Sequence, residues 1–453
     1  MLTQRKQSLT LRTVSASSAI SCLVPFVTKQ TEEDCVAQMI RIGIIGCGRI
    51  LAAHLKGYRL LREAGVDNFR ITALCARNID AARSYVQRGE GPEQRPAVSN
   101  IPGDALAVGD EFLSDFQDDV DVEIYDDFRE LISADSVDSV NDYTLHGLHH
   151  VIAQLAAENG KHLLTQKPMS VTVAGAKLMC EAFDSRQLTL AVFENWRFRP
   201  DSIRMKSLLQ AGILGKPQII HTGAIGAWWA PNQIVAETPW RHRTEQAGGI
   251  TLDMGVHQFD FVRVAGGEVL AIDGRAHTVE PVRYSFDRAG NVTNEIQCNA
   301  DDTYFASFET ANGAIGSVHA SWAGHAAPTI CGPGPVVYTT KGQLRGNTFT
   351  NDAGEQSSLA ELYEKHAPVE QQHSEIPFGL EDSFALTQLD WLNAIRDKRA
   401  PIIDGQEGMR DLACAWAVLE SSRAGRRVTL DEILSGEVAT VQREIAPHFG
   451  LKS

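Results

Sequence analysis

Two hydrophobic patterns follow one another along the chain, with the change after Lys167. The first opens at residues 41–51, where an apolar run through Ile42, Ile44 and Ile45 leads to Gly46-Cys47-Gly48. Such a run suits a strand buried on both faces. Leu51, Leu55, Tyr58 and Leu61 then share one helical stripe. The alternation repeats, with strands predicted over 70–75, 137–143 and 161–165 and helices over 79–87, 128–131 and 149–159, the last stopped by Gly160. Strands alternating with helices predict a doubly wound parallel sheet. Residues 88–120 interrupt it. They are rich in Gly, Pro and Asp, have no periodicity, and are too long for a plain connection, so they read as functional, mobile or partly structured.

From Pro168 a helix over 173–185 leads to an apolar run at 189–193 and then to Glu194-Asn195-Trp196-Arg197-Phe198-Arg199-Pro200. Beyond Pro217 come long strand-like runs at 219–227, 269–279, 303–310 and 314–322, with Asn312-Gly313 as a hairpin turn between the last two. This pattern predicts antiparallel sheet in an α+β domain. Two helices follow, one with Ala385, Leu389, Leu392 and Ile395 on its stripe and one with Met409, Leu412, Trp416 and Leu419.

Composition refines the picture. The 453 residues are 43% apolar and 22% charged, enough for a large core and two domains. A formal charge of −15 without a basic cluster argues against a nucleic-acid surface. No apolar run is long enough to cross a bilayer. Cysteines at 22, 35, 47, 75, 180, 298, 331 and 414 are scattered, with no C-x-x-C. That fits free thiols in a reducing cytosol better than disulfides or a zinc site. Residues 1–38 are rich in Ser and Thr and basic at Arg5, Lys6 and Arg12. They read as a disordered extension, or as sequence upstream of a start at Met39, with a targeting peptide as the rival reading. The domains are then 39–167, carrying the 88–120 insertion, and 168–453.

Several residues can carry chemistry. Strand, glycine turn and helix read as a dinucleotide-binding end, with an ordinary strand-to-helix turn as the alternative. Gly46 permits the turn, Gly48 lets a pyrophosphate approach, and the first helical N–H groups hold the anion. At the end of the second strand stands Ala76-Arg77-Asn78, with no acid before Asp80. NAD-specific sites place a carboxylate there, whereas Arg77 can pair with a 2′-phosphate, so the balance leans to NADP. Lys167 ends a strand on the side where ligands bind, and its ammonium can polarise a hydroxyl or carbonyl; a plain surface lysine is the alternative. Asp253 and His257 lie four apart and share a helical face, so the carboxylate can set the imidazole tautomer. Zinc binding is the rival reading there, but no third strong ligand is near, and no metal is expected. His146, His149 and His150 read as structural. Trp228, Trp229, Trp240 and Arg241 either line a sugar-like ligand or belong to core or interface.

These motifs together resemble the Gfo/Idh/MocA family of NAD(P)-dependent oxidoreductases from Met39 to the end. Four features carry the resemblance: Gly46-Cys47-Gly48, Gly160-Lys161-His162 leading into Gln166-Lys167-Pro168, Asn195 to Pro200, and Gly248-Gly249 through Asp253, Gly255, His257 and Asp260. It implies an α/β Rossmann domain followed by an α+β domain with a large open, mainly antiparallel sheet that commonly forms a homo-oligomer interface. It also implies hydride transfer between NAD(P) and a hydroxyl or keto carbon of a sugar, cyclitol or related polyol. By motif position Lys167, Asp253 and His257 are the catalytic set, with Asp253 orienting His257. Gly46, Cys47, Gly48, Arg49, Ile50, Thr144, His149, Gln166 and Lys167 fall on the cofactor side, and Arg197, Trp240 and Arg241 join the catalytic three on the substrate side. The resemblance further suggests a cis peptide before Pro168. The chain departs from the family pattern at Gln166, where Glu is usual, at Leu145, where Pro is usual, and at Leu51, where a small residue is usual. Two rival functions remain. A glycosidase acting by transient oxidation would show net hydrolysis without cofactor turnover, and a non-catalytic NAD(P)-binding sugar sensor would show no turnover at all.

Overall fold

The computed structural model describes residues 39–99, 106–226, 231–325, 329–330 and 334–452. The extension read at 1–38, and Trp228 and Trp229, lie outside these.

The apolar runs form a parallel sheet of six strands: β1 (Ile40–Ile45), β2 (Phe69–Cys75), β3 (Glu123–Tyr125), β4 (Ser139–Asp142), β5 (His162–Gln166) and β6 (Leu190–Phe193). Their order is β3-β2-β1-β4-β5-β6. The order reverses between β1 and β4, which opens a crevice at the carboxyl ends of those strands. Helices α1 (Leu51–Glu63), α2 (Ile79–Arg83), α3 (Phe128–Ser133), α4 (His146–Glu158) and α5 (Val173–Asp184) cross between the strands. The stripe predicted on α1 is fully buried. Most boundaries shift by one or two residues from the sequence reading, and two helix ends by about a turn: α2 stops at Arg83 instead of running to 87, and α4 begins at His146 instead of 149. The described part of the insertion is tied down. Leu113 N–H donates to Tyr85 O at 2.9 Å, the Gln94 amide donates to Ser84 O and Glu111 O at 3.0 and 2.8 Å, and Arg88 pairs with Asp110 and Asp115.

A first domain ending at Lys167 is too short. β6 pairs with β5 in parallel, Phe193 opposite Gln166, and its four residues are buried. The chain leaves the sheet only after Phe193, through α6 (Pro200–Gln210).

The second sheet has ten strands: β7 (Pro217–Ile225), β8 (Val269–His277), β11 (Thr303–Thr310), β12 (Ile315–Ser321), β13 (Thr329–Ile330), β14 (Val336–Thr339), β15 (Gly342–Arg345), β16 (Thr348–Asn351), β17 (Gln356–Ser358) and β18 (Val428–Thr429). Between β8 and β11, β9 (Val282–Phe286) and β10 (Val292–Gln297) form a separate ribbon. The large sheet runs β17-β16-β15-β14-β7-β12-β11-β8-β18, with β13 on β7. Every pairing is antiparallel except β12 beside β7. One face packs on α7 (Ile250–Gly266), which in turn packs on α11 (Gly405–Ala424). The opposite face leaves Ile219, Ile315, Phe305 and Tyr338 exposed.

After α8 (Leu359–His366) and α9 (Val369–Glu375), helix α10 (Ser383–Asp397) returns to the first domain. Its Phe384, Leu389, Trp391 and Leu392 join Leu51, Leu55 and Tyr58 in one core. The approach is close: a Cβ on Gly57 would stand 2.3 Å from Gln388 Oε1 and 3.1 Å from Ala385 N. The division at 168 therefore also misplaces α10, because a stripe says which face is buried but not against what.

Candidate active site

The glycine turn is shaped by two different needs. Gly46 has φ +105°, and a Cβ there would stand 2.6 Å from Tyr143 O, so the turn admits only glycine. Gly48 lines the crevice, and a Cβ there would meet nothing within 4 Å. That open space over the start of α1 is what a bound diphosphate needs. No acidic residue stands in the first turn of α1 and no side chain caps it, so no carboxylate competes with an anion at that end. The turn thus fits a dinucleotide. Cys47 does not line the crevice; its side chain is buried, with Sγ 3.6 Å from Cys75 O. Arg49 and Ile50 line the crevice, with Arg49 Nη2 donating to Ala236 O at 2.7 Å on the opposite wall. Arg77 is exposed at the end of β2 and does not line it.

The crevice has a volume of about 470 Å³ and runs between the carboxyl ends of the parallel strands and α7. Lys167 enters it from the end of β5, at a cis bond to Pro168. Buried His149 sits behind this turn, its ring nitrogens 3.1 Å from Pro168 O and 3.2 Å from Thr144 O. It braces the turn against the end of β4 rather than lining the crevice. Thr144 lines it, its hydroxyl donating to Asp142 Oδ1 at 2.7 Å. At Gln166 an amide stands where the family pattern has a carboxylate. Its Nε2 lies 2.8 Å from His54 Nε2, and burial holds His54 far below its ordinary pKa.

From the other wall, α7 presents Asp253 and His257. Its first turn is fixed from outside, since Thr251 N–H and hydroxyl donate to Asp301 Oδ2 at 2.9 and 2.6 Å. A Cβ on Gly249 would stand 2.1 Å from Asp301 Oδ1, which explains a glycine before this helix. Lys167 Nζ donates to Asp253 O and Oδ1 at 2.6 and 3.0 Å, and Arg241 Nε donates to Asp253 Oδ2 at 3.0 Å. Burial pushes the Asp253 carboxyl up, but Arg241 and Lys167 outweigh it and hold the group well below its ordinary value. Arg241 also lies over the Trp240 ring at 4.4 Å, and Trp240 packs on His146.

The expectation that Asp253 orients His257 does not hold. His257 Nδ1 lies 2.5 Å from Glu194 Oε1, whereas both Asp253 oxygens are taken by cations. Glu194 was missed because it lies 63 residues away, just after β6. The available signal was its place: an acid ending an apolar strand beside Lys167, given the Gln166–Phe193 register. A carboxylate at Nδ1 fixes the proton there and leaves Nε2 as the basic nitrogen. Burial lowers the His257 pKa and Glu194 raises it, with burial ahead. Trp196 stacks on the ring at 4.8 Å and 9°.

Arg197 does not reach the crevice. It donates to Asp260 Oδ1 at 2.7 Å and Glu407 Oε2 at 2.6 Å and is sealed behind α7, whereas its neighbours Asn195, Trp196 and Arg199 line the cavity. A buried guanidinium needs carboxylates, and those lie on the far side. Among the described residues no group of three or more His, Cys, Asp or Glu can hold a metal ion.

Residues 40–194 match the family model "Oxidoreductase family, NAD-binding Rossmann fold", and residues 203–345 match "GFO/IDH/MocA C-terminal domain". The chain belongs to the Gfo/Idh/MocA family. Two Gfo/Idh/MocA-type relatives align over most of it. D-apiose dehydrogenase of Paraburkholderia graminis is 23% identical over 86% of this chain and 89% of its own. Myo-inositol 2-dehydrogenase of Thermotoga maritima is 24% identical over 87% and 100%. The fold is shared with levoglucosan dehydrogenase solved with NADH and L-sorbose, at a TM-score of 0.66, 19% identity and 87% and 99% coverage.

Proposed function

We propose that this member of the NAD(P)-dependent oxidoreductases interconverts a hydroxyl and a keto carbon of a sugar, cyclitol or related polyol. One observation supports this most: Lys167 and His257 face one crevice from opposite walls, with the glycine turn at its other end. In the oxidative direction His257 Nε2 accepts the hydroxyl proton, and Glu194 offsets the imidazolium charge. An ammonium has three donors, and Lys167 uses two on Asp253, so its third is left for the substrate oxygen. Asp253 serves as the anchor for Lys167 and Arg241. The bound nicotinamide supplies the hydride acceptor. In reduction the same groups act in reverse.

NADP is the favoured form, because the end of β2 carries Arg77 and no acid before Asp80. Relatives differ here: a D-xylose 1-dehydrogenase of Hypocrea jecorina is named for NADP(+), and the levoglucosan dehydrogenase structure holds NADH. We place the protein in the cytosol, with five free cysteines among the described residues, and no helix among those residues is long and apolar enough to cross a membrane. Its partner is a second copy of the chain, docked on the large sheet where Tyr338, Ile219 and Ile315 stand side by side in register and exposed.

A panel of aldoses, anhydrosugars and inositols with NADH, NADPH and their oxidised forms tests the reading by cofactor absorbance. Turnover with at least one polyol is expected. Net hydrolysis of a glycoside without cofactor turnover, or binding without any turnover, would overturn it.

A further inference from the structure

A bound NAD(P) brings a diphosphate with two negative charges into a chain whose formal charge is already −15. The glycine turn answers with backbone N–H groups. The one cation in the turn, Arg49, is committed across the crevice to Ala236 O and lies 3.8 Å from Glu237. Arg95 is not committed. It comes from the 88–120 insertion, lines the same crevice as Gly48, Arg49 and Ile50, is exposed, and has no hydrogen-bond or ion-pair partner among the described residues. The chain beside it is held, because the amide of Gln94 is clamped between Ser84 O and Glu111 O. Tyr85 closes the same corner, its hydroxyl donating to Gly48 O at 2.9 Å. Arg95 is near enough to the Cys47 thiol and the Tyr85 hydroxyl to favour their charged forms, against the larger effect of burial.

We propose that Arg95 binds the diphosphate of the dinucleotide, which makes the first part of the insertion a wall of the cofactor site. This rests on the cofactor reading given above. The neighbours choose the diphosphate over the 2′-phosphate: they belong to the turn that opens α1, whereas the ribose end lies at the end of β2, where Arg77 stands. The guanidinium offers the planar fork that matches a phosphate, and an unpaired one gives up no existing ion pair to bind it.

The test is equilibrium binding of NADH, NADPH, ADP-ribose and adenosine to the full chain by calorimetry. Arg95→Ala is expected to raise the Kd of NADH, NADPH and ADP-ribose by a common factor on the order of 10, to leave adenosine unchanged, and to flatten the salt dependence. Arg95→Lys should recover part of the loss. Arg77→Ala should weaken NADPH alone. An Arg95→Ala variant with the wild-type Tm that binds ADP-ribose within twofold of wild type would overturn the assignment. So would a loss confined to NADPH, which would put Arg95 at the 2′-phosphate. Wild-type protein that binds neither NADH nor ADP-ribose would remove the cofactor reading itself, and this inference with it.

Discussion

In the crevice, Lys167 and Arg241 share the single carboxylate of Asp253, and all three line the cavity. Behind α7, Arg197 and Arg263 share Asp260, Glu407 and Asp411, and none of these five lines it. The residue types are the same, but the balance is opposite. The crevice cluster has more cations than carboxylates, and Lys167 keeps a donor beyond the two it gives to Asp253. The sealed cluster has more carboxylates than cations, so each guanidinium is held by more than one carboxylate, and Asp260 Oδ2 and Asp411 Oδ2 are left without a hydrogen-bond partner among the described residues. Burial separates the two further. Arg263 is 2% exposed and Lys167 18% exposed at the side chain, so the first is locked and the second can exchange partners. What sets the crevice apart is an ammonium with a hydrogen-bond donor to spare beside an open volume, not charge as such.

Substitutions can break this contrast. The largest effect is expected in the crevice, where Lys167→Met or His257→Asn should each lower kcat by about 10²–10⁴-fold with Tm and cofactor Kd near wild type. Activity within a few-fold of wild type would remove that residue from the mechanism. In the sealed cluster the loss should appear as stability: Arg263→Met strands Asp411, whereas Glu407 keeps Arg197 and Arg410, and should cost about 3–5 kcal/mol in denaturant unfolding, with kcat of the folded fraction nearly unchanged. A stable but inactive variant would contradict the division. Glu194 stands between the two cases. Glu194→Gln keeps an acceptor for His257 Nδ1–H but removes the charge that raises the imidazole pKa. The acid limb of the oxidative kcat/KM profile, already below the ordinary histidine value, should move to lower pH, and the plateau should fall. An unmoved limb would argue against His257 as the base.

The smallest effect concerns protons. Burial pushes Asp411 up to about 6, ahead of the pull of Arg263. The native state then binds more protons than the unfolded chain between about pH 4 and 6. The stability from Asp411 is present below that window and lost as pH rises through it. Asp253 runs the other way, because its lowered carboxyl loses stability as pH falls below the ordinary range. Tm measured against pH should therefore rise less steeply on acidification through this window in Asp411→Asn than in wild type. Equal slopes would mean that Asp411 is ionised throughout.

The strands and helices with strict periodicity were legible in the sequence. β11 spans Thr303–Thr310 as its alternation predicts, and the Asn312-Gly313 turn joins it to β12 with Gly313 at φ +82°. Lys167, Asp253 and His257 were legible as a set because each sits on a short motif. The links among them were not. Spacing along α7 suggested that Asp253 faces His257, but hydrogen bonds to Lys167 and Arg241, 86 and 12 residues away, claim the carboxylate instead. Arg197 shows the same limit, since a guanidinium within a motif looks alike whether it meets substrate or a buried Asp260. Side-chain partners 60 or more residues apart depend on how layers stack, and local pattern does not carry that information.

The return of α10 to the first core has a consequence for biosynthesis. The parallel sheet is complete at Phe193, but Phe384, Leu389, Trp391 and Leu392, which cover the stripe on α1, come from Ser383–Asp397. At roughly 5–20 residues per second, a ribosome takes on the order of 10–40 s to cover that interval. Throughout it, part of the apolar face of α1 has no native cover and is a target for chaperones or for premature association with another nascent chain. A fragment ending near residue 194 should carry the same exposed face permanently.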